Sequence, residues 1–540
     1  MEGIHDYFTY WDWAVLFGYL LLTTLVGHAM RGKQANIQDF FAGGRSLPWP
    51  AVSGSIIATE ISGVTFIGVP GGVMAAQGDF TYLIWGLGSI IGRVIVGKVF
   101  TKVFYEEHIY SPYDYMGKRI KPGLKTLATV FFTIGSILAQ SVRVLVAALP
   151  LMIVTGLSFE VCILIIGVFA IGWTLMGGMR TVIWTDVMQF GLFTIGGLLT
   201  LFWIAGHLDG GVGQIFSQAG EAGKTTWLNF DTGISDAFKF TFWTAIIAVP
   251  FLNVGAFGVD QLNAQRMFCC KNANDASKAI IWSSVGQGIT YLMLVVGAAL
   301  FVWYANHPPE GVVAEGMQWK DDGTPGNGDA VFPIWIVTQL PPGLSGLILG
   351  GVFAAAISSL DSILAALSQT TISVLYHPER QTEQDQQKLV RHSRMWVVFW
   401  GLFLTAFTLL LRWMKDEAEI PILPLAFGMT AYTMGPLLGM FLCALVGKGS
   451  LRGLVIGSAV SFLMVLFIRT DVWVLLHFMG MPYDWLGYLP TYEVIGQGEG
   501  AKLSTVVGFY WAWPVTTIVT FVCGCFLFPS QPSEEAEAET

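Results

Sequence analysis

The chain has 540 residues, of which 54% are hydrophobic and only 12% charged, and its mean hydropathy is +0.61. Soluble globular domains carry about 25% charged residues, so this composition excludes an ordinary water-soluble globule and indicates a polytopic membrane protein. The net charge of −9 comes partly from the acidic end PSEEAEAET, which is expected to be disordered, and no basic cluster points to nucleic acid.

In chain order, apolar runs predict thirteen helices: 11–29, 50–76, 80–104, 124–152, 158–178, 182–206, 239–265, 278–304, 344–374, 393–413, 420–446, 450–470 and 507–529. The start, MEGIHDYFTYWDW, has no basic stretch before its apolar run, so the first span is expected to be a retained helix, not a cleaved signal. Alternate connections, beginning after the first span, carry Arg31, Lys33 and Arg45, then Lys118, Arg119, Lys121 and Lys125, then Arg180, then Arg266, Lys271 and Lys278. They continue with Arg380, Lys388, Arg391 and Arg394, and end with Lys448 and Arg452. The other side is poor in Lys and Arg and holds the long loops 207–238, 305–343 and 471–506, which are expected to be ordered or partly ordered caps. The positive-inside rule places the N-terminus outside and the C-terminus in the cytoplasm of a plasma or inner membrane.

The six cysteines show no paired CxxC spacing and the eight histidines no HExxH set, so no metal or catalytic constellation is visible and an enzyme is not expected. The simplest organisation is one transmembrane domain over 1–529: an extra helix at 11–29, a five-helix unit at 50–206, a second at 239–446, and two closing helices within 450–529, followed by the acidic tail 530–540.

Two spans read as interrupted. The second, AVSGSIIATEISGVTFIGVPGGVMAA, is expected to break near Ile61–Gly63. The seventh, FWTAIIAVPFLNVGAFGVDQLNAQR, is expected to be interrupted by Pro250 and by NVGAFG at 253–258. An interrupted helix opens each five-helix unit. Five is odd, so the units run in opposite senses across the membrane, the pattern of an inverted-repeat transporter. Glycine and proline also serve close packing in membrane helices, which is the competing explanation for either span alone.

Polar residues inside the spans supply the chemistry. Ala355, Ser358, Ser359 and Ser362 fall at i, i+3, i+4 and i+7, one stripe of a helix. Neutral hard oxygens on such a stripe, joined by carbonyls of a broken helix, suit a monovalent cation that must also leave. The same serines can instead bond back to their own helix. Asp361 is a carboxylate at membrane depth, where it needs a cavity or a partner, and Asp186 begins the sixth span near the inner side. Glu60 and Arg143 either neutralise each other or face a substrate, with Gln140, Thr65 and Asn253 adding neutral donors and acceptors. Arg93 can snorkel to the interface and is given no role.

The motifs DFFAGGRSLPW (39–49), IATEISGVTFIGVPG (57–71), GGMRTVIWTDVMQ (177–189), GVDQLNAQRMF (258–268) and AAAISSLDSILAALS (354–368) together resemble the solute:sodium symporters, the family of sodium/glucose, monocarboxylate/vitamin, proline and sialic-acid cotransporters. The resemblance implies an all-α integral membrane protein with a leucine-transporter-like five-plus-five inverted repeat. It implies a co-transported sodium ion held by the carbonyls of Ala58, Ile61 and Ala355 and the side chains of Ser358 and Ser359. In members with two ions, the positions of Asp186, Asp361 and Ser362 would serve the second, although Asp361 departs from the usual hydroxyl.

For substrate, Val64 and Thr65 replace the polar residues of sugar carriers, Ala256 replaces an aromatic gate, and Glu60 with Arg143 is not the usual sugar set. The stretches NFDTGISDAFKFTFWT and DQLNAQRMFCCKNANDASKA look nearest the monocarboxylate/vitamin branch. The expectation is therefore a sodium-driven symporter of a monocarboxylate or vitamin-like acid, bound near Glu60, Thr65, Gln140, Arg143 and Asn253. A sugar or polyol is the alternative cargo, and a sodium channel or a transport-inactive sensor the alternatives of another class. The partners implied are a small solute and the bilayer, with no obligate protein.

Overall fold

The computed structural model describes residues 3–30, 41–107, 109, 111–176, 179–234, 240–376, 383–418, 422–470, 473, 476, 477, 479–481, 492–495 and 502–528. The acidic tail lies outside these. Ten helices among the described residues are long and apolar enough to span a bilayer, and two bent pairs bring the number to twelve. A shorter apolar helix at Phe159–Leu175 accounts for the thirteenth expected span.

Before the first break come α1 (Tyr10–Met30) and α2 (Trp49–Glu60), and after it α3 (Val64–Met74). Next are α4 (Thr81–Glu106), the short α5 (Pro112–Arg119), α6 (Pro122–Thr155), α7 (Phe159–Met176) and α8 (Met179–Gly206). A surface helix α9 (Gly211–Glu221) leads to the second bent pair, α10 (Thr244–Val259) and α11 (Gln261–Met267). Then follow α12 (Ala273–Asn306), α13 (Gly311–Met317), α14 (Gly328–Gln339), α15 (Leu344–Leu375) and α16 (Glu383–Ala418). The chain closes with α17 (Ile422–Val446), α18 (Leu451–Ile468) and α19 (Phe509–Leu527). Tyr492–Ile495 and Lys502–Thr505 pair as a small antiparallel hairpin before α19.

The first break falls where the sequence places it. Ile61 leaves the helix at φ −77°, ψ 83°, and α2 and α3 meet at 53°. The second break does not. The chain passes Pro250 and 253–258 as continuous helix and bends by 59° at Asp260, which adopts φ −67°, ψ 124°. The reason is local. A widened π turn, Thr244–Ala248, precedes Pro250, and another, Val64–Gly68, precedes Pro70, so each ring passes without ending its helix. Asp260 then caps α11, its side chain accepting from Leu262 N at 2.8 Å.

Small residues let the two halves approach. A Cβ on Gly88 of α4 would lie 2.1 Å from Ala245 O and 2.7 Å from the Val249 side chain on α10. Gly88→Val is therefore expected to destabilise the fold by about 2 kcal/mol or more. Thermal unfolding of the detergent-purified protein checks this, with Gly72→Ala as the control, since nothing lies within 4 Å of a Cβ there. Two of the long loops carry helices of their own, α9 and α13–α14. α14 buries Val331, Phe332 and Trp335 against the core, and its Gly328 O approaches Gly71 of α3. Apolar side chains left exposed on spanning helices, such as Val168, Phe202 and Leu402, form the surface a bilayer covers.

Candidate functional site

Both breaks open onto one cavity of about 160 Å³, walled by α2–α3, α6, α10–α11, α12 and α17. All five residues expected around a substrate, Glu60, Thr65, Gln140, Arg143 and Asn253, line it. One end is roofed by aromatic rings. Trp85 lies 4.3 Å from Phe427 and 5.9 Å, edge-on, from Trp513 of α19, with Tyr82 beside them. At the other end Phe132 lies 5.6 Å from Tyr113, whose hydroxyl accepts from Gln261 N at 3.3 Å, just past the second break.

Glu60 and Arg143 do not pair. Glu60 is instead ion-paired to Arg93 and accepts from Gln287 Nε2 at 2.9 Å. Arg93 is fully buried, donating also to Ser283 Oγ (2.5 Å) and Ser89 Oγ (3.2 Å), with its guanidinium 4.3 Å from the Phe257 ring centre. Ser89 Oγ in turn donates to Asn253 Oδ1 at 2.9 Å. Arg93 thus holds no position at the interface. The signal missed was its helical face: Ser89 stands four residues before it and Gly92 and Gly88 flank it, a small, polar stripe suited to helix contact and not to lipid. Arg93→Met strands the Glu60 carboxylate and is expected to cost about 3–5 kcal/mol, which the double variant Arg93→Met, Glu60→Gln largely restores. Thermal unfolding of the three proteins reads this out.

Arg143 is the guanidinium left over. Its Nη1 is buried with no hydrogen-bond partner among the described residues. Ser136 Oγ, Gln140 Oε1 and Asn263 Oδ1, which line the same cavity, are in the same condition. Ser136, Gln140 and Arg143 recur at i, i+4 and i+7, so α6 presents them as one stripe.

The first break also releases carbonyls. Ser62 N, which in a continuous helix would reach Ala58 O, donates to Glu60 O, and Thr65 N, which would reach Ile61 O, donates to Ser62 O. α2 touches α15, where Ser359 is buried and its Oγ has no partner among the described residues. Ala355 and Ser358 belong to the helical backbone of α15, while their side chains lie outside the described residues. Gln189 Nε2 of α8 donates to Ala354 O at 3.0 Å and ties α15 to its neighbour.

The remaining acids divide. Asp186 is buried, and Arg266, expected in a connection, is fully buried beside it. Arg266 Nη2 donates to Asp186 Oδ2 (3.1 Å) and Ser362 Oγ (2.7 Å), its Nε donates to Ser55 Oγ (3.0 Å), and Ser55 Oγ donates to Asp186 Oδ2 (2.5 Å). One cluster therefore joins α2, α8, α11 and α15. Asp361 faces elsewhere. It accepts from Thr174 Oγ1 at 3.0 Å and borders a hollow of about 20 Å³ with Thr23, Thr24, His28 and Thr181.

Residues 40–457 match the sodium:solute symporter family. A sodium/sialic acid symporter of Proteus mirabilis (strain HI4320) is 30% identical over 477 residues, 86% of this chain and 90% of its own. The sodium-coupled monocarboxylate transporter 1 of Homo sapiens is 28% identical over 464 residues, 84% of this chain and 73% of its own. The substrate-bound, outward-open structure of a Na+-coupled sialic acid symporter superposes with a TM-score of 0.77 at 24% identity, over 97% of this chain and 99% of that one. The likeness establishes the fold, the leucine-transporter-like inverted repeat implied by the motifs. A family match across most of the chain, and a relative aligned along nearly all of both, make this chain a member of the sodium:solute symporter family, a multi-pass membrane transporter that couples a small solute to sodium.

Proposed function

We propose that the protein imports a small organic acid together with sodium, by alternating access, across the plasma or inner membrane. The observation that carries the acid is Arg143: a buried guanidinium nitrogen, unpartnered among the described residues, in a cavity whose Glu60 is already neutralised by Arg93. A buried cationic donor without a partner is costly, and a carboxylate is the ligand that relieves it most. Thr65, Gln140 and Asn253 shape the same pocket.

Sodium is assigned to the carbonyls of Ala58, Ile61 and Ala355 with the hydroxyls of Ser358 and Ser359. The support is the release of the Ala58 and Ile61 carbonyls at the break and the partnerless Ser359 Oγ on the helix α2 touches. Asp186 and Ser362 hold Arg266 in this conformation, so a second cation reaches them only where Arg266 withdraws, and Asp361 is the carboxylate outside that cluster. The unit that moves is taken as 1–529, with 50–206 working against 239–446. The N-terminus is placed outside and the C-terminus inside, on the Lys and Arg pattern of the connections. Each sodium entering down the membrane potential then adds about 2.3 kcal/mol per 100 mV.

The test is a thermal-shift screen of the purified protein across carboxylates, sugars, amino acids and vitamins, with and without sodium. A carboxylate whose stabilisation requires sodium is the expected hit. Sodium-dependent stabilisation by a neutral sugar alone, unaltered in Arg143→Gln, sinks the acid reading.

A further inference from the structure

The cavity holds more polar capacity than a bare carboxylate can use. Gln140 is 5% exposed and Asn263 9% exposed, yet Gln140 Oε1 and Asn263 Oδ1 have no partner among the described residues, and both line the cavity. Both atoms only accept hydrogen bonds. Asn263 Nδ2 is committed to Ala256 O at 2.8 Å, which fixes the amide with its oxygen as the unused end. Asp260, three residues earlier at the second break, adds a carboxylate to the same wall, with Oδ1 holding Leu262 N. A buried acceptor with no donor is costly, so this edge is shaped for something that donates.

We propose that Gln140, Asn263 and Asp260 form a second subsite of the cavity that takes hydrogen-bond donors, hydroxyl or ammonium, carried on the carbon chain of the substrate. The transported acid is then a hydroxy or amino carboxylate, not an unsubstituted one. This rests on the reading of Arg143 as the carboxylate anchor. Arg143 and Gln140 lie on α6, whereas Asp260 and Asn263 lie at the α10–α11 break and on α11, so an acid reaching from Arg143 to Asp260 and Asn263 ties one repeat to the other. A site built to bond a hydroxyl or amine rejects the analogue that lacks it, because its own buried acceptors are then stranded.

The experiment is a binding titration of the full-length protein in sodium with matched four-carbon acids: butyrate, its mono- and dihydroxy derivatives, and its amino derivatives. At least one substituted acid is expected to bind about tenfold or more tighter than butyrate. The hydroxy and amino arms identify which donor the edge takes. In Asn263→Leu the ratio of substituted to unsubstituted affinity is expected to fall about tenfold, and in Gln140→Leu likewise. The ratio is internal to each protein, so a general loss of folding does not imitate it, and the panel on the unaltered protein stands even where a variant fails to fold. Butyrate binding as tightly as every substituted acid, or a ratio unchanged in Asn263→Leu, overturns the subsite, water alone then filling the edge. Failure of the acid reading looks different: no acid binds, or Arg143→Gln alters none of the affinities.

Discussion

Arg143→Gln is expected to weaken binding of a carboxylate substrate by about 2–3 kcal/mol, or about 30- to 150-fold in Kd. Glutamine keeps a donor and much of the length but removes the charge, so the loss measures the charge-assisted bond to the substrate and not a collapsed cavity. Nη1 of Arg143 has no hydrogen-bond partner among the described residues, so the change breaks no protein hydrogen bond at that atom, although Asp260 on the same cavity wall loses a nearby positive charge. Glu60→Gln is the informative contrast. That change leaves Arg93, fully buried, without its ion pair, and the penalty is paid in fold stability more than in binding. Isothermal titration of both variants in sodium, with unfolding midpoints alongside, separates the two effects. A neutral substrate would leave Arg143→Gln near the parent affinity.

Much of this was legible in the sequence because the bilayer imposes simple rules. Apolar run length locates the spans, Lys and Arg suggest their sense, and Ile61 with Ser62 and Gly63 marks a break in a helix that is otherwise well formed. Proline misled in the second repeat. Pro250 looks like a break, but the π turn before it absorbs the missing hydrogen bond, and Asp260, an extended cap, makes the bend. The five cavity residues could be chosen because polar groups at membrane depth are scarce. Their partners could not. Which acid an arginine meets depends on how helices pack: Arg93 reaches Glu60 across 33 positions and Arg266 reaches Asp186 across 80. Asp361 and Ser362 show the same limit. They are neighbours in sequence, yet one step of helix sends them to different surroundings, Thr174 and Arg266.

The proposed sodium and substrate sites share α2. The break that releases the Ala58 and Ile61 carbonyls also presents Thr59, Glu60 and Ile61 to the cavity. An ion bridging those carbonyls to α15 would hold the broken helix in the position where the cavity wall is complete. Coupling then needs no long path, since one helix end is common to both ligands.

Ser359→Ala is the strongest test of that arrangement. The substitution deletes one hydroxyl that is buried and has no protein partner among the described residues, so it leaves no stranded group and is expected to change fold stability little. If Ser359 is a sodium ligand, sodium affinity falls about tenfold or more and sodium-driven uptake into vesicles is abolished, while the protein still reaches the membrane. Linkage sets a second, independent expectation. The factor by which sodium tightens substrate binding must equal the factor by which substrate tightens sodium binding, in the parent and in the variant alike. The difference in substrate affinity between variant and parent should therefore vanish without sodium and be largest at concentrations that fill the parent site but not the variant's. A serine that only packs α15 predicts neither trend. Sodium affinity unchanged in Ser359→Ala removes the hydroxyl from the site and leaves the Ala58 and Ile61 carbonyls in need of another partner.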